Sequence, residues 1–455
     1  MPMKVLWVCN MMLPVIAEHL GIEGSNKEGW LSGLCAEVLK RQQENGIELH
    51  VAFPVEADRD GYYEEIQTPE GSLVCHGFYE DTAHAEQYEV SLEERLKHIT
   101  DTVKPDVIHC FGTEYAHTLA MCKIAPHKSK VLIGIQGVCE ACANAYFANM
   151  PKEVIDRRTL RDVLKQDSIR QQYEKFVQRG RREKEAVQLV GNVTGRTALD
   201  EHYTKKWNPK AKYYPMNETL RSNFYQGTWE KEKCIPYSIF VSQGDYPIKG
   251  LHYMLLALPR IKEKYPDIKV YVAGNSIVGG GWRGKLKISS YGKYINEIIR
   301  KNKLEQNIEF LGRLNAEQMK RQYLKSHLYV CCSSMENSPN SLGEAMLFGM
   351  PCVSADVGGI KSVFEDRKDG ILYRGFRTTQ SSFDGICDTG IGEDEDVQAC
   401  ADRLAGAVLE MWDDEEKMLF YGENARKHAE KTHNRENNYR KLMQIYEEIA
   451  SGGGV

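Results

Sequence analysis

Short apolar runs rich in β-branched and aromatic residues alternate with longer stretches of helical periodicity along most of the chain. In the first half the runs fall at 4–9, 48–53, 107–111, 131–136 and 189–194, with a helical stretch at 31–44. In the second half they fall at 238–242, 269–273, 308–311, 328–332, 352–355 and 370–373. Runs of this length bounded by turn residues predict buried strands, and strands separated by helices predict parallel sheets built from right-handed crossover units. Both halves therefore read as doubly wound α/β domains.

The joint is expected near 224–236, where Glu230-Lys231-Glu232-Lys233 precedes a fresh strand. That gives an N-terminal domain at 1–225, a second at 226–432 and a closing helix at 433–455. A charged, glycine-containing insertion at 376–396 precedes a helical stretch at 397–411. In 434–449 the helical spacing puts Tyr439, Leu442, Met443 and Tyr446 on one face. Open parallel sheets bind ligands beyond the carboxyl ends of their strands, so two such domains are expected to face one central cleft.

Composition narrows the class. The 455 residues are 42% hydrophobic and 27% charged, in the globular range. A formal charge of -5 gives no reason to expect a nucleic-acid partner. Val5-Leu6-Trp7-Val8-Cys9 is too short to span a bilayer and lacks a cleavage site, so it reads as a strand of a cytoplasmic protein. The 13 cysteines are odd in number and lie mostly inside apolar runs, as reduced core thiols do. Cys139 and Cys142 form a CxxC without a second ligand pair for zinc. The basic stretch 157–184 contains Arg157, Arg158, Arg161, Lys165, Arg170, Lys175, Arg179, Arg181 and Arg182. It reads either as a solvated helical face or as a peripheral contact with an anionic membrane.

The most informative stretch runs from Cys332 to Met346. It leaves a strand, passes through Glu336, Ser338, Pro339, Asn340 and Ser341, and enters a helix that ends near Gly349. The amides at that helix start, at Asn340, Ser341 and Leu342, suit a diphosphate, and Gly343 permits close approach. Glu344 can accept both hydroxyls of a ribose, and Glu336 lies on the loop over the donor sugar. Taken singly, each acid could instead complement the helix dipole or stand solvated on a loop.

With Glu336, Glu344, Ala345-Met346, then Gly349-Met350-Pro351 and Asp356-Val357-Gly358-Gly359, the chain resembles glycosyltransferase family 4, of the GT-B fold. The Ser338-Pro339-Asn340-Ser341 loop is similar to a variant in some bacterial surface-polysaccharide transferases. The resemblance implies a retaining, metal-independent transferase of hexosyltransferase type, and a closing helix that crosses back to the first domain. Its donor would be a nucleotide sugar, most commonly a UDP-sugar in that family. The acceptor would be a saccharide or a lipid-linked saccharide, in capsule, exopolysaccharide or other surface-glycan synthesis. Contact with the inner face of the plasma membrane would follow from a lipid-linked acceptor.

Other residues fit the same frame. Gly244 and Lys249 follow a strand, and Lys249 before Gly250 suits a phosphate clamp. Gln243 stands where family members usually carry an Arg, a role that Arg196 or Arg283 could take. Glu28-Gly29-Trp30 leads into a helix and resembles the family's glycine-rich first loop, with Gly29 approaching the phosphate. Relatives often have His-x-His at the strand 107–111. Here Phe111 replaces the second, so His117 is expected as the active-site histidine and His109 as structural. Three other readings stand beside this one. The Gly279 to Gly284 stretch satisfies GxGxxG, the mark of an NAD-dependent oxidoreductase, outside the expected turn context. Asp58-Arg59-Asp60 and Asp394-Glu395-Asp396 match the DxD of metal-dependent transferases but sit in charged loops. A nucleotide-sugar sensor without catalytic activity would keep the same pocket.

Overall fold

Eight strands form the first sheet: β1 (Met3–Val8), β2 (Ile47–Val55), β3 (Tyr63–Gln67), β4 (Ser72–Tyr79), β5 (Val107–Phe111), β6 (Val131–Gly134), β7 (Asn192–Gly195) and β8 (Lys212–Pro215). Six form the second: β9 (Ile235–Val241), β10 (Lys269–Ala273), β11 (Ile308–Gly312), β12 (Ser326–Cys331), β13 (Cys352–Asp356) and β14 (Ile371–Arg374). They belong to a computed structural model that describes residues 2–22, 29–279, 287–376 and 396–452. The chain divides into two compact units. The first comprises Met1–Glu140, Lys175–Arg221 and Thr432–Val455, the second Ala141–Glu174 and Ser222–Lys431.

In the first unit the strand order is β3-β4-β2-β1-β5-β6-β7-β8, parallel throughout except that β3 runs antiparallel to β4. In the second it is β11-β10-β9-β12-β13-β14, with every pair parallel. Both units are thus the doubly wound α/β sheets expected from the alternation of runs. The central strands read as largely apolar runs because both faces are covered: β5 and β12 are buried at every position, His109 and His327 included. The strand order sets where chemistry can gather. In the first sheet the chain winds outward from β1 through β2, then returns beside β1 with β5. In the second it leaves β9 through β10 and β11, then returns beside β9 with β12. Each return leaves a crevice at the carboxyl ends of two neighbouring strands whose connections run opposite ways, the preferred ligand position of such sheets.

Two sequence-distant pieces complete the units. In the first, Tyr446 of the terminal helix Arg435–Ala450 lies fully buried; Trp7 Nε1 on β1 donates to its hydroxyl at 2.8 Å, and His109 Nδ1 on β5 stands 2.8 Å from it. In the second, Asp162 is fully buried and works twice. It closes the capping box of helix Leu160–Lys165 with Thr159, and accepts the Ser290 amide at 2.9 Å at the start of helix Ser290–Lys301. That pins the 151–174 stretch to the second unit. Nearby, His252 Nε2 donates to the Ala148 carbonyl at 2.9 Å, and Tyr253 donates to Asn149 Oδ1 at 3.1 Å.

Candidate functional site

The second unit's crevice lies between the ends of β9 and β12, and its two loops meet through a charged pair. Lys249, on the turn after β9, places Nζ 2.6 Å from Oε1 of Glu336, on the loop after β12. Ser333 Oγ donates to the same oxygen at 2.7 Å. Burial opposes the ammonium charge, but the Glu336 carboxylate overrides it and holds the Lys249 pKa above its ordinary value. Lys249 is therefore a fixed cation, 19% exposed along its side chain.

Glycine positions explain why these loops can meet. Gly250 has φ +68°, and a β-carbon there would fall on the Cys332 carbonyl oxygen. Ser334 N donates to the Ile248 carbonyl at 2.7 Å, and Ser334 Oγ to the Ala145 carbonyl at 3.1 Å. From the other side, Gly358 has φ +53°, and its β-carbon would fall on the Glu336 carbonyl oxygen, which accepts the Gly359 amide at 3.0 Å. The Glu336 loop is thus held between the turns after β9 and β13. Gly244, expected at the phosphate, is buried, and a β-carbon there would collide with the side chains of Val272 and Leu251. Packing alone accounts for that glycine.

Helix Asn340–Leu347 opens after Pro339, whose carbonyl accepts the amides of Leu342 at 3.0 Å and Gly343 at 3.3 Å. Asn340 and Ser341 begin its first turn, and the Asn340 Oδ1 is buried without a hydrogen-bond partner. Glu344, one turn in, is 6% exposed and accepts from the buried Tyr323 hydroxyl at 3.0 Å. Tyr329 on β12 donates to Ser341 Oγ at 2.8 Å and stands 3.0 Å from Ser242 Oγ after β9. The structure so gathers Lys249, Glu336, Asn340, Ser341, Leu342 and Glu344 at the ends of β9 and β12. Sequence reading missed Ser333, Tyr323 and Tyr329, since nothing local marks a core tyrosine as a partner of a distant loop.

The remaining expected residues fall in the first unit. Gly29 starts helix Gly29–Lys40, and a β-carbon there would meet the Arg221 guanidinium. Arg196, weighed as a replacement cation, pairs with Glu218 and donates to Gln136 Oε1 at 2.8 Å and its carbonyl at 2.6 Å. His117 has no exposed surface. Its Nδ1 lies 2.5 Å from Glu80 Oε2 and its Nε2 3.1 Å from Asn10 Oδ1. Asn10 Nδ2 in turn donates to Glu114 Oε2 at 3.1 Å. Asn10, Glu80 and Glu114 follow β1, β4 and β5, and their grouping was not expected.

Arg283, Glu28, Gly280 to Gly284 and Asp394-Glu395 lie outside the described residues. Asp60 of the first DxD is occupied by Arg95 at 2.7 Å and the Tyr79 amide at 2.8 Å. Among the described residues no group of three His, Cys, Asp or Glu is placed to hold a metal ion, and no helix is long and apolar enough to cross a membrane. The described cysteines are free thiols. Much of the basic stretch is engaged: Arg157 with Glu297 at 2.9 Å, Arg161 with Asp167 at 2.7 Å, Lys175 with Glu86 at 3.2 Å, and Arg182 with the carbonyls of Ala85 and Gln87.

Residues 227–382 match the family model described as Glycosyl transferases group 1. Spore coat protein SA of Bacillus subtilis is 27% identical over 142 residues, 31% of this chain and 36% of that protein. The D-inositol 3-phosphate glycosyltransferase of Corynebacterium urealyticum is 24% identical over 204 residues, 44% of this chain and 41% of that protein. These matches span less than half the length of either relative. Among solved structures, sucrose-phosphate synthase from Thermosynechococcus elongatus superposes with a TM-score of 0.67 at 13% identity, covering 99% of this chain and 100% of that one. Anabaena HepE in complex with UDP superposes with a TM-score of 0.61 at 14% identity, with the same coverage. The fold is GT-B, and the match to the glycosyltransferase group 1 model lies within the second unit.

Proposed function

We propose that the protein is a glycosyltransferase that moves a sugar from a nucleotide-sugar donor, held by the second unit, to a saccharide or lipid-linked acceptor. The observation that carries the reading is the Lys249–Glu336 pair at the crevice between β9 and β12, beside the start of helix Asn340–Leu347. As the glycosidic bond of the donor breaks, the diphosphate gathers negative charge. A preorganised cation and helix-start amides stabilise that charge without reorganising at the moment of reaction. Lys249 supplies the cation, and the amides at Asn340 and Ser341 supply the dipoles. Once a diphosphate engages Lys249, the Glu336 carboxylate turns to the hydroxyls of the donor sugar. Glu344, oriented by Tyr323, takes the ribose. Retention of anomeric configuration and synthesis of a surface polysaccharide follow from the family resemblance.

Solved proteins of the same fold are described in complex with UDP and with UDP-glucose, which makes these the first ligands to test. Titration calorimetry of the full chain with UDP and UDP-glucose, in EDTA and again with manganese, is the direct experiment. Binding of similar strength in both buffers is expected. Dependence on manganese would overturn the metal-free reading, and no binding of any nucleotide sugar would overturn the reading as a whole. Donor binding without turnover on any acceptor would favour the sensor. For a membrane-borne acceptor, the relevant surface is helix Leu160–Lys165, where Leu160, Val163 and Leu164 are exposed beside the exposed Lys165 and Arg158. Anionic vesicles should retain the protein, and Leu164→Ser with Lys165→Glu should release it.

A further inference from the structure

We infer that Glu114 holds the acceptor hydroxyl, and that His117 serves it from behind by fixing the amide of Asn10. This rests on the glycosyltransferase reading, and it concerns the crevice of the first sheet, between β1 and β5. Asn10 follows β1, Glu114 follows β5, and Glu80 closes the row after β4. Ligands of open parallel sheets collect at such a position.

The hydrogen bonds run one way only. Glu80 is a carboxylate: one oxygen accepts the amides of Ala116 and His117 at 3.0 and 3.2 Å, and the other faces His117 Nδ1 at 2.5 Å. Burial would raise its pKa, but the His117 charge and these hydrogen bonds lower it further. Asn10 donates its Nδ2 hydrogen to Glu114, so its Oδ1 is left to accept from His117 Nε2. Both ring nitrogens of His117 thus face side-chain oxygens and are engaged within the unit. A ring without exposed surface and with both nitrogens engaged has no access to a substrate. His117 is a positioning residue.

What it positions is a half-buried carboxylate. Glu114 Oε2 is tied to Asn10, and its backbone carbonyl accepts Arg179 Nε at 2.8 Å. Its Oε1 looks toward Gly137, where a β-carbon would stand 3.7 Å away. Gly112, at φ +90°, is needed because a β-carbon there would overlap both Asn10 Nδ2 and Glu114 Oε2. A carboxylate held by one oxygen presents the other as an acceptor of O–H, which suits a neutral, polyhydroxylated saccharide and disfavours an acceptor carrying a negative charge at that point.

The test uses the full chain, with UDP-glucose as donor probe and the methyl glycosides of glucose, galactose and N-acetylglucosamine as acceptor probes. Saturation-transfer NMR should show at least one glycoside binding to the unaltered protein. Glu114→Gln keeps the shape of the side chain and should weaken that binding by about tenfold or more, with UDP-glucose affinity unchanged within about twofold. Glu114→Asp should restore part of it. His117→Ala, which frees the Asn10 amide, should weaken glycoside binding while UDP-glucose affinity stays within about twofold. Glycoside binding that survives Glu114→Gln or His117→Ala, or an absence of glycoside binding in the unaltered protein, would overturn the inference. Loss of UDP-glucose binding by the unaltered protein would instead strike the function proposed above.

Discussion

Lys249 and Glu336 neutralise one another, so removing either leaves a nearly buried charge without its partner. Lys249→Ala should lower turnover by about 100-fold or more, in line with the loss of one fixed donor at a developing anion, and weaken UDP-sugar binding. Steady-state kinetics and calorimetry check both. Glu336→Gln, which keeps the hydrogen bond from Ser333, should retain UDP affinity and lose turnover. A second residue prediction concerns Glu183, fully buried in the first unit, where it accepts from Thr113 Oγ1 at 2.5 Å and from the Cys139 amide at 2.8 Å. Burial pushes its pKa up to about 8. From about 4.3, where the unfolded carboxyl ionises, up to about 8, the folded chain binds a proton that the unfolded chain has released. Stability from this group is complete below that window and falls as pH rises through it. Glu183→Gln should therefore flatten the decline, its advantage in melting temperature growing from pH 5 to pH 8 in calorimetry. The candidate residues of the second crevice were legible because paired acids, a proline and glycines keep fixed spacings around one loop. Glu80 and Asn10 were not, because 37 and 107 residues separate them from the histidine they surround.

At the scale of elements, apolar runs located the buried strands well, and β10 and β5 fall where the runs do. What escaped were strands whose burial leaves no run. β3 is Tyr-Glu-Glu-Ile-Gln with a single buried position, and β8 is an edge strand likewise buried at one residue. β4 is mostly buried, but His76 and Gly77 interrupt its apolar residues. The run expected at 189–194 is shifted, since Leu189 ends the long helix Ile169–Leu189 and β7 begins only at Asn192. The helix expected at 31–44 stops at Lys40, and a separate turn of helix occupies Gln42–Asn45. Element geometry also yields a test of the site's scaffold. Gly250→Ala must place a β-carbon on the Cys332 carbonyl with φ positive, which should destabilise the second unit by more than about 1 kcal/mol. Donor binding should fall with it, because the turn carrying Lys249 has to move away from the Glu336 loop. Calorimetric melting with and without UDP separates the two effects.

At the scale of the molecule, neither unit is a continuous stretch of chain. The polypeptide passes from one to the other at 140/141, 174/175, 221/222 and 431/432. The sequence showed two sheets but not the 141–174 excursion, because its attachment rests on scattered polar contacts, among them the buried carboxylate of Asp162, the carbonyls of Ala145 and Ala148, and the Arg157–Glu297 pair. A fragment of residues 222–431 would leave the Ser290 amide and the Ser334 hydroxyl without those acceptors. It should melt well below the corresponding transition of the full chain, and Asp162→Ala in the full chain should lower that transition alone. Buried histidines add a pH dependence in both units. His109 is held down to about 3 and His252 to about 4 by burial, so each unit loses stability as pH falls from about 6.5 toward those values. Only the first also carries Glu183, whose opposite slope offsets that of His109 between about 4.3 and 6.5, so its transition should decline as pH rises above that range.

The burial of Tyr446 against Trp7 has a further outcome for biosynthesis. During synthesis β1 waits for a tyrosine 439 residues further on before its sheet face is covered, with residues 222–431 of the second unit translated in between. The first unit therefore cannot mature before helix Arg435–Ala450 has emerged, and its open sheet must be kept from aggregating until then.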